Sequence, residues 1–210
     1  MSVQATRECP SMWNDRYNQT DYVYGTAPCQ WLLMNQHRLP TTGLALAIAD
    51  GEGRNGVFLA EQGLQVTSVD LSEVGLRKAE RLAASRGVAL NTVQSDLSRH
   101  PVAPESLAIA VSIYAHLPSK IRSDVHQRIG QGLQPGGLFL LEAFHPRQRD
   151  YPSGGPRDPD LLYQVEDVLA DLPDLTIIDA LEGQTLLAEG YGHVGLGYVT
   201  RLVLQKGASL

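Results

Sequence analysis

One stretch constrains the fold of this chain more than any other. Leu44-Ala-Leu-Ala-Ile-Ala49 is a continuous apolar run, and it leads directly into Asp50-Gly51-Glu52-Gly53-Arg54-Asn55-Gly56. A run that is apolar at every residue suits a strand covered on both faces, as in parallel sheets flanked by helices. The glycines allow a tight turn. Arg54 to Gln62 then carries Val57, Phe58 and Leu59 before Gly63, a helix stop signal. The order is strand, glycine turn, helix, the opening of a βαβ unit.

The pattern continues downstream. Gln65 to Val69 reads as a second strand. Ser72 is a good N-cap, with Glu73 in the first turn of a helix that stops at Gly87. Asn91 to Gln94 and Leu107 to Ile113 read as strands three and four. Pro118 opens a helix through Ile121, Val125 and Ile129, and Gly136-Gly137 launches strand five, Leu138 to Ala143. Strands alternating with helices imply a parallel sheet, with ligands at the carboxyl ends of its strands. The last third differs. Tyr151 to Pro159 reads as an ordered lid loop and Asp160 to Leu172 as a helix. Two β-rich segments follow, Leu175 to Leu187 and Gly195 to Leu204, joined through Glu189-Gly190-Tyr191-Gly192-His193. With no helix between them, they should pair antiparallel. The expected fold is α/β, Rossmann-like and doubly wound: a mostly parallel seven-stranded sheet with an antiparallel C-terminal edge hairpin. Residues 10–37 read as one or two short helices bearing Trp13, Tyr17, Tyr22, Tyr24 and Trp31, one of them starting at Pro28.

Composition narrows the function. The 210 residues carry 17 Lys and Arg against 23 Asp and Glu, a formal net charge of -6. A nucleic-acid partner would call for a basic stripe, and the only local cluster is Arg147 to Arg149. Two cysteines, Cys9 and Cys29, make no disulfide framework, and no paired C-x-x-C spacing points to a metal. No run approaches the length of a membrane span, and Met1 to Arg16 lacks the apolar core of a signal peptide. The expectation is a cytoplasmic protein with a small-molecule substrate and no nucleic-acid, membrane or metal partner. Oligomeric state leaves no signal.

The glycine loop matches G-x-G-x-x-G literally, and Asp70 ends the next strand where ribose hydroxyls are gripped. An NAD-dependent oxidoreductase fits that much. The charges oppose it: a helix N-terminus welcomes a pyrophosphate, whereas Asp50 and Glu52 repel one. A cofactor carrying a sulfonium and an ammonium group tolerates both carboxylates and still offers a ribose to Asp70. S-adenosylmethionine is such a molecule.

Asp50-Gly-Glu-Gly-Arg-Asn55, Val69-Asp-Leu-Ser72 and Leu133-Gln-Pro-Gly-Gly137 together resemble the class I S-adenosylmethionine-dependent methyltransferases. Trp13-Asn-Asp-Arg-Tyr17, Tyr24-Gly25, Ala115-His-Leu-Pro118 and Glu189-Gly-Tyr-Gly-His193 are similar to the branch holding tellurite-resistance and thiol or thiopurine methyltransferases. The resemblance covers essentially the whole chain. It implies one methyltransferase domain over 1–210: a helical cap at 1–40, a cofactor-binding core at 41–145, and a lid loop with hairpin at 146–210. It implies that Ala49, Gly51, Gly53 and Asn55 pass the methionine half of the cofactor. Asp70 would hold the ribose and Leu71 pack on the adenine. Asp96, followed by Leu97, would receive the adenine amino group, and Ser112 and Ile113 would lie beside the sulfonium. Trp13, Arg16, Tyr17 and Tyr24 would fold over the site, with Arg16 facing the methionine carboxylate. Two positions depart from the family pattern. Ala47 stands where an acidic residue is usual, and Ala49 where the first loop glycine is usual.

The implied activity is in-line methyl transfer to a small molecule, with a thiol or a chalcogen oxyanion as the suggested acceptor. A binder that kept the fold but lost catalysis is the alternative that Ala47 and Ala49 motivate. A soft nucleophile needs little base help; oxygen or nitrogen needs a proton acceptor. His116 is the candidate, and its structural reading is a capping or core histidine before Pro118. His145 and His193 are weaker candidates, readable also as a surface residue and a turn residue. Glu142, in an apolar strand, needs a partner if buried.

Overall fold

The computed structural model describes residues 10–208. Seven strands form one sheet in the order β3-β2-β1-β4-β5-β7-β6. They are β1 (Leu44–Ile48), β2 (Gln65–Asp70), β3 (Asn91–Gln94), β4 (Leu107–Ile113), β5 (Leu133–Phe144), β6 (Leu175–Glu189) and β7 (His193–Lys206). The pairs among β1 to β5 are all parallel, while β5–β7 and β6–β7 are antiparallel. This is the expected mostly parallel sheet with an antiparallel C-terminal edge. Strand order reverses between β1 and β4, so a crevice opens at their carboxyl ends, where open α/β sheets bind ligands.

The helices are α1 (Pro10–Tyr17), α2 (Gln30–Met34), α3 (Arg54–Glu61), α4 (Glu73–Ser85), α5 (Ser119–Gly132) and α6 (Val165–Asp171). Every residue of β4 is buried. Its apolar side chains feed two large core clusters, one around Leu46, Ala110, Ile129 and Phe139, the other around Ala45, Phe58, Ile109 and Leu140. That two-sided burial is why β1 and β4 read as unbroken apolar runs rather than alternating ones.

Local chemistry explains most boundaries. Ser72 accepts from Gly75 N at 3.0 Å and starts α4 as expected. The helix expected at Asp160 to Leu172 is split instead. A 3-10 turn covers Pro159–Leu161, and α6 begins only at Val165. Tyr163 breaks it: its amide donates to Phe144 O at 2.9 Å, and its hydroxyl bridges Ala115 O and Leu117 N at 2.5 and 2.7 Å. The helix expected from Pro28 likewise starts at Gln30, because Cys29 is held extended by donating its N–H to Asn55 Oδ1 at 2.9 Å. Strand β5 starts earlier than expected, at Leu133 opposite Leu107. Gly136, at φ +78°, sits in the register shift before Leu138. Helix α6 docks on α5 through a buried charge cluster, with Asp171 Oδ2 taking Arg122 Nε at 2.7 Å and His126 Nδ1 at 2.9 Å. Among the described residues no helix is long and apolar enough to cross a membrane. Cys9 and the first nine residues of the expected cap lie outside the described residues.

Candidate functional site

A cavity of about 1260 Å³ opens at the carboxyl ends of β1, β2 and β4. Its wall includes Trp13, Arg16, Tyr24, Ala49, Asn55, Asp70, Leu71, Asp96, Leu97, Ile113 and His116, eleven residues singled out in the sequence. Gly51, Gly53 and Ser112, named with them, do not line it. Ser112 is 1 % exposed.

The glycines have other work. A Cβ on Gly53 would run into Ala79 on α4, and one on Gly51 into the Tyr17 hydroxyl. Both also sit at positive φ. They let the loop pack against α4 and Tyr17, so their smallness serves the protein's own close approach. Ala49 has φ 48°, the left-handed region, where a side chain costs about 1–2 kcal/mol and glycine little. Here lies the physical meaning of the departure from the family glycine.

The loop carboxylates correct the electrostatic expectation. Glu52 is buried, paired with Lys78, and accepts from Val23 N at 2.8 Å. Asp50 accepts from Ser68 Oγ and from Gly56 N. Burial lifts the Asp50 carboxyl to about 7, against the downward pull of those two donors. Neither carboxylate is a spare charge waiting for a cation. Asp70 is different. Its oxygens accept from Gly51 N and Ser72 N at 2.8 and 2.7 Å, which orients the carboxylate at the cavity edge. Asp96 Oδ1 is fixed the same way by Ser98 N at 2.9 Å.

The opposite wall comes from distant parts of the chain. Val23 is its hinge point: its N–H goes to Glu52, and its carbonyl accepts from Tyr191 N and Gly192 N at 3.1 and 3.0 Å. The tip of the β6–β7 hairpin is thereby stapled over the glycine loop. Lys78 Nζ reinforces the arrangement by donating to Asp21 O at 2.7 Å and Gln19 O at 3.0 Å. Helix α1 is tied down by Asn14 Oδ1, which accepts from Ser72 Oγ at 2.7 Å. Arg16 lies over the Trp13 ring at 4.7 Å and donates to Tyr24 Oη at 3.0 Å.

The hairpin brings a buried charge network that sequence reading underrated. Glu189 Oε2 accepts from Arg54 at 3.0 Å and from His193 Nδ1 at 3.0 Å. Burial alone would raise the Glu189 carboxyl, but His193 and Arg54 together hold it down at about 2. The His193 ring packs 4.5 Å from Tyr24 and 4.6 Å from Tyr114. Tyr114 was missed altogether. It follows β4 at φ 54°, and its hydroxyl donates to Glu142 Oε1 at 2.9 Å. Its local signal, an aromatic just past a buried strand, is common to packed cores. Glu142 has the partners its burial demands: Arg201 at 2.9 Å, Tyr114, and Cys29 Sγ at 2.7 Å.

His116 lines the cavity, stacked on Phe144 at 5.6 Å, with Nδ1 3.3 Å from Leu161 O. Burial, with the nearby His193, depresses it to about 4. At neutral pH it is an uncharged and weak base, less suited to proton abstraction than its position suggests. His145 hydrogen-bonds Arg147 N as the cap of the 3-10 turn Pro146–Asp150 and does not line the cavity.

Comparison with known proteins matches this core to one family. Residues 45–137 match the model described as "Methyltransferase domain". A curated relative, the uncharacterized methyltransferase YodH of Bacillus subtilis, is 29% identical over 90 residues, which is 43% of this chain and 38% of that protein. The chain thus aligns with well under half the length of that relative. Among solved structures, the protein of "Conversion of a Disulfide Bond into a Thioacetal Group during Echinomycin Biosynthesis" superposes with TM-score 0.74 at 14% identity, covering 96% of this chain and 93% of that one. TehB from Haemophilus influenzae gives 0.69 at 16% identity, covering 94% and 66%. An S-adenosylmethionine-dependent methyltransferase of Methanosarcina mazei gives 0.66 at 19%, covering 84% and 98%. At these identities the structural likeness speaks for the fold. Residues 45–137 are thus similar to a methyltransferase domain, and the chain shares the Rossmann-like α/β fold of the superposing structures.

Proposed function

We propose that the chain is an S-adenosylmethionine-dependent methyltransferase acting on a small molecule, with a thiol or a chalcogen oxyanion as acceptor. The observation that carries the reading is the oriented Asp70 carboxylate at the end of β2, on a cavity shared with Ala49, Leu71 and Asp96. An oriented carboxylate at that place suits two ribose hydroxyls. Leu71 is an apolar platform for the adenine, and Asp96 an acceptor for its amino group. Arg16, exposed at the cavity edge, is the cation for the methionine carboxylate. When bound, the cofactor supplies a methyl group already activated on a sulfonium. The protein's contribution is then to orient the acceptor and keep water away.

The acceptor side favours a small, soft molecule. Trp13, Tyr24 and Tyr114 give the wall an aromatic character that suits polarizable atoms. The superposing protein named for disulfide chemistry adds sulfur as a precedent on this fold. The test is release of S-adenosylhomocysteine from S-adenosylmethionine with a panel of thiols, selenite and tellurite. Turnover of a thiol or oxyanion is expected. Cofactor binding without turnover of any of them would leave a binder and not an enzyme of this class.

A further inference from the structure

Resting on that methyltransferase reading, we propose that His193, oriented by the Arg54–Glu189 pair, is the catalytic base that takes the proton from a thiol acceptor. The geometry is that of a base backed by an anion. Glu189 Oε2 faces His193 Nδ1 at 3.0 Å, and an ionised carboxylate can only accept, so Nδ1 carries the proton. Nε2 is then the atom with the lone pair, and among the described residues it has no hydrogen-bond partner. His193 lines the cavity. Its ring is clamped by Tyr24, Tyr114 and Phe144, at centroid distances of 4.5, 4.6 and 5.2 Å. Clamping fixes the direction of Nε2, and Glu189 stabilises the imidazolium as it forms.

The charged and titratable groups around it come from every neighbouring element. Glu189 is on β6 and Arg54 on α3, Tyr24 lies in the segment before α2, and Tyr114 and His116 follow β4. Arg54 neutralises Glu189 in the resting state but does not touch the ring. Glu189 and Arg54 are therefore positioning residues. His116 has only a carbonyl behind its Nδ1, so nothing comparable supports its protonation.

An oriented base also chooses between the two acceptor classes. A chalcogen oxyanion attacks through the lone pair on its chalcogen, with no X–H bond to the attacking atom to break, and needs no such residue. A thiol loses one. Its sulfur forms the new bond to the methyl carbon while the methyl–sulfonium bond breaks. The electron pair of that bond stays on the departing thioether, and the thiol proton goes to His193 Nε2 and then to water.

The test uses wild type, His193→Asn and His193→Ala. Asparagine keeps a donor for Glu189 but has no base. Calorimetry with S-adenosylhomocysteine comes first; a wild type that does not bind it fails the methyltransferase reading itself. Long-range nitrogen–proton NMR of the histidine rings, assigned by the variants, should show His193 protonated at Nδ1; protonation at Nε2 overturns the proposal. In turnover at neutral pH, His193→Asn should lose about 100-fold in kcat/KM with 2-mercaptoethanol. With the more acidic thiophenol it should lose much less, with S-adenosylhomocysteine affinity retained. Added imidazole should restore part of the 2-mercaptoethanol rate of His193→Ala. An equal loss with both thiols, no loss with either, or a wild type that binds S-adenosylhomocysteine yet methylates no thiol would each overturn the assignment.

Discussion

The two walls of the cavity are built in different ways. The wall proposed for the cofactor is local: Ala49, Asp50 and Asn55 are neighbours in sequence, and Gly51 N donates back to Asp70 over a single βα unit. The wall proposed for the acceptor is assembled across the whole chain, from Val23, Arg54, Tyr114 and His193, with Glu142 and Glu189 behind them. The first depends on backbone turns and hydrogen bonds to amides. The second depends on buried charges that neutralise one another. A local wall should tolerate the loss of side chains in its far supports, whereas the assembled wall should fail when one charge is removed.

The largest effect is therefore expected at Glu142, which is 1 % exposed. Glu142→Ala leaves the Arg201 guanidinium buried without its partner, a loss of about 3–5 kcal/mol on the usual scale for breaking buried pairs. Urea unfolding measures it, and a change under about 1 kcal/mol would mean that the acceptor wall does not rest on its charges. Next comes Asp70→Ala, which should weaken S-adenosylhomocysteine binding by about 1–3 kcal/mol while unfolding changes less. If stability falls and affinity does not, Asp70 serves the loop alone.

The two walls also hold carboxyl groups shifted in opposite directions, which gives a pH test. Asp50 is lifted by burial from 3.8 to about 7. Between those values the folded chain keeps a proton that the unfolded chain has released. Its contribution to stability is full below 3.8 and is lost as pH rises through about 7. Glu189 is lowered from 4.5 to about 2, so its contribution is full above 4.5 and is lost as pH falls toward 2. Asp50→Asn should flatten the fall in stability between pH 4 and 7, roughly the window between the two Asp50 values, and leave the acid side intact. The unfolding midpoint followed across pH reads both. An unaltered profile would place the Asp50 proton elsewhere.

The smallest effect is at Ala49. Ala49→Gly relieves a left-handed residue but adds chain entropy to the unfolded state, so a gain of no more than about 1 kcal/mol is expected. A clear loss of stability would show that the alanine methyl packs usefully at the cavity.

The same contrast explains what could be read from the sequence. Strand, turn and helix periodicities are local, so the sheet, the edge hairpin and lining residues such as Ala49, Asp70 and Asp96 were legible. The hydrogen bonds that divert Asp50 and Glu52 are not: a carboxylate looks equally free in a sequence whether it meets a ligand or Lys78. Tyr163 shows the same limit in the fold, because its contacts to Ala115 and Phe144 break a helix that its neighbours favour. His193 read only as a weaker candidate, equally a turn residue, because Glu189 and the Arg54 behind it meet it only after β6, β7 and α3 come together.

The central claim is that the wall around Asp70 holds S-adenosylmethionine. Calorimetric titration of S-adenosylhomocysteine and of NAD into wild type and Asp70→Ala tests it most directly. The account predicts saturable binding of S-adenosylhomocysteine, weakened about 5- to 150-fold in the variant, with no response to NAD. Tight binding of NAD with no response to S-adenosylhomocysteine would contradict it.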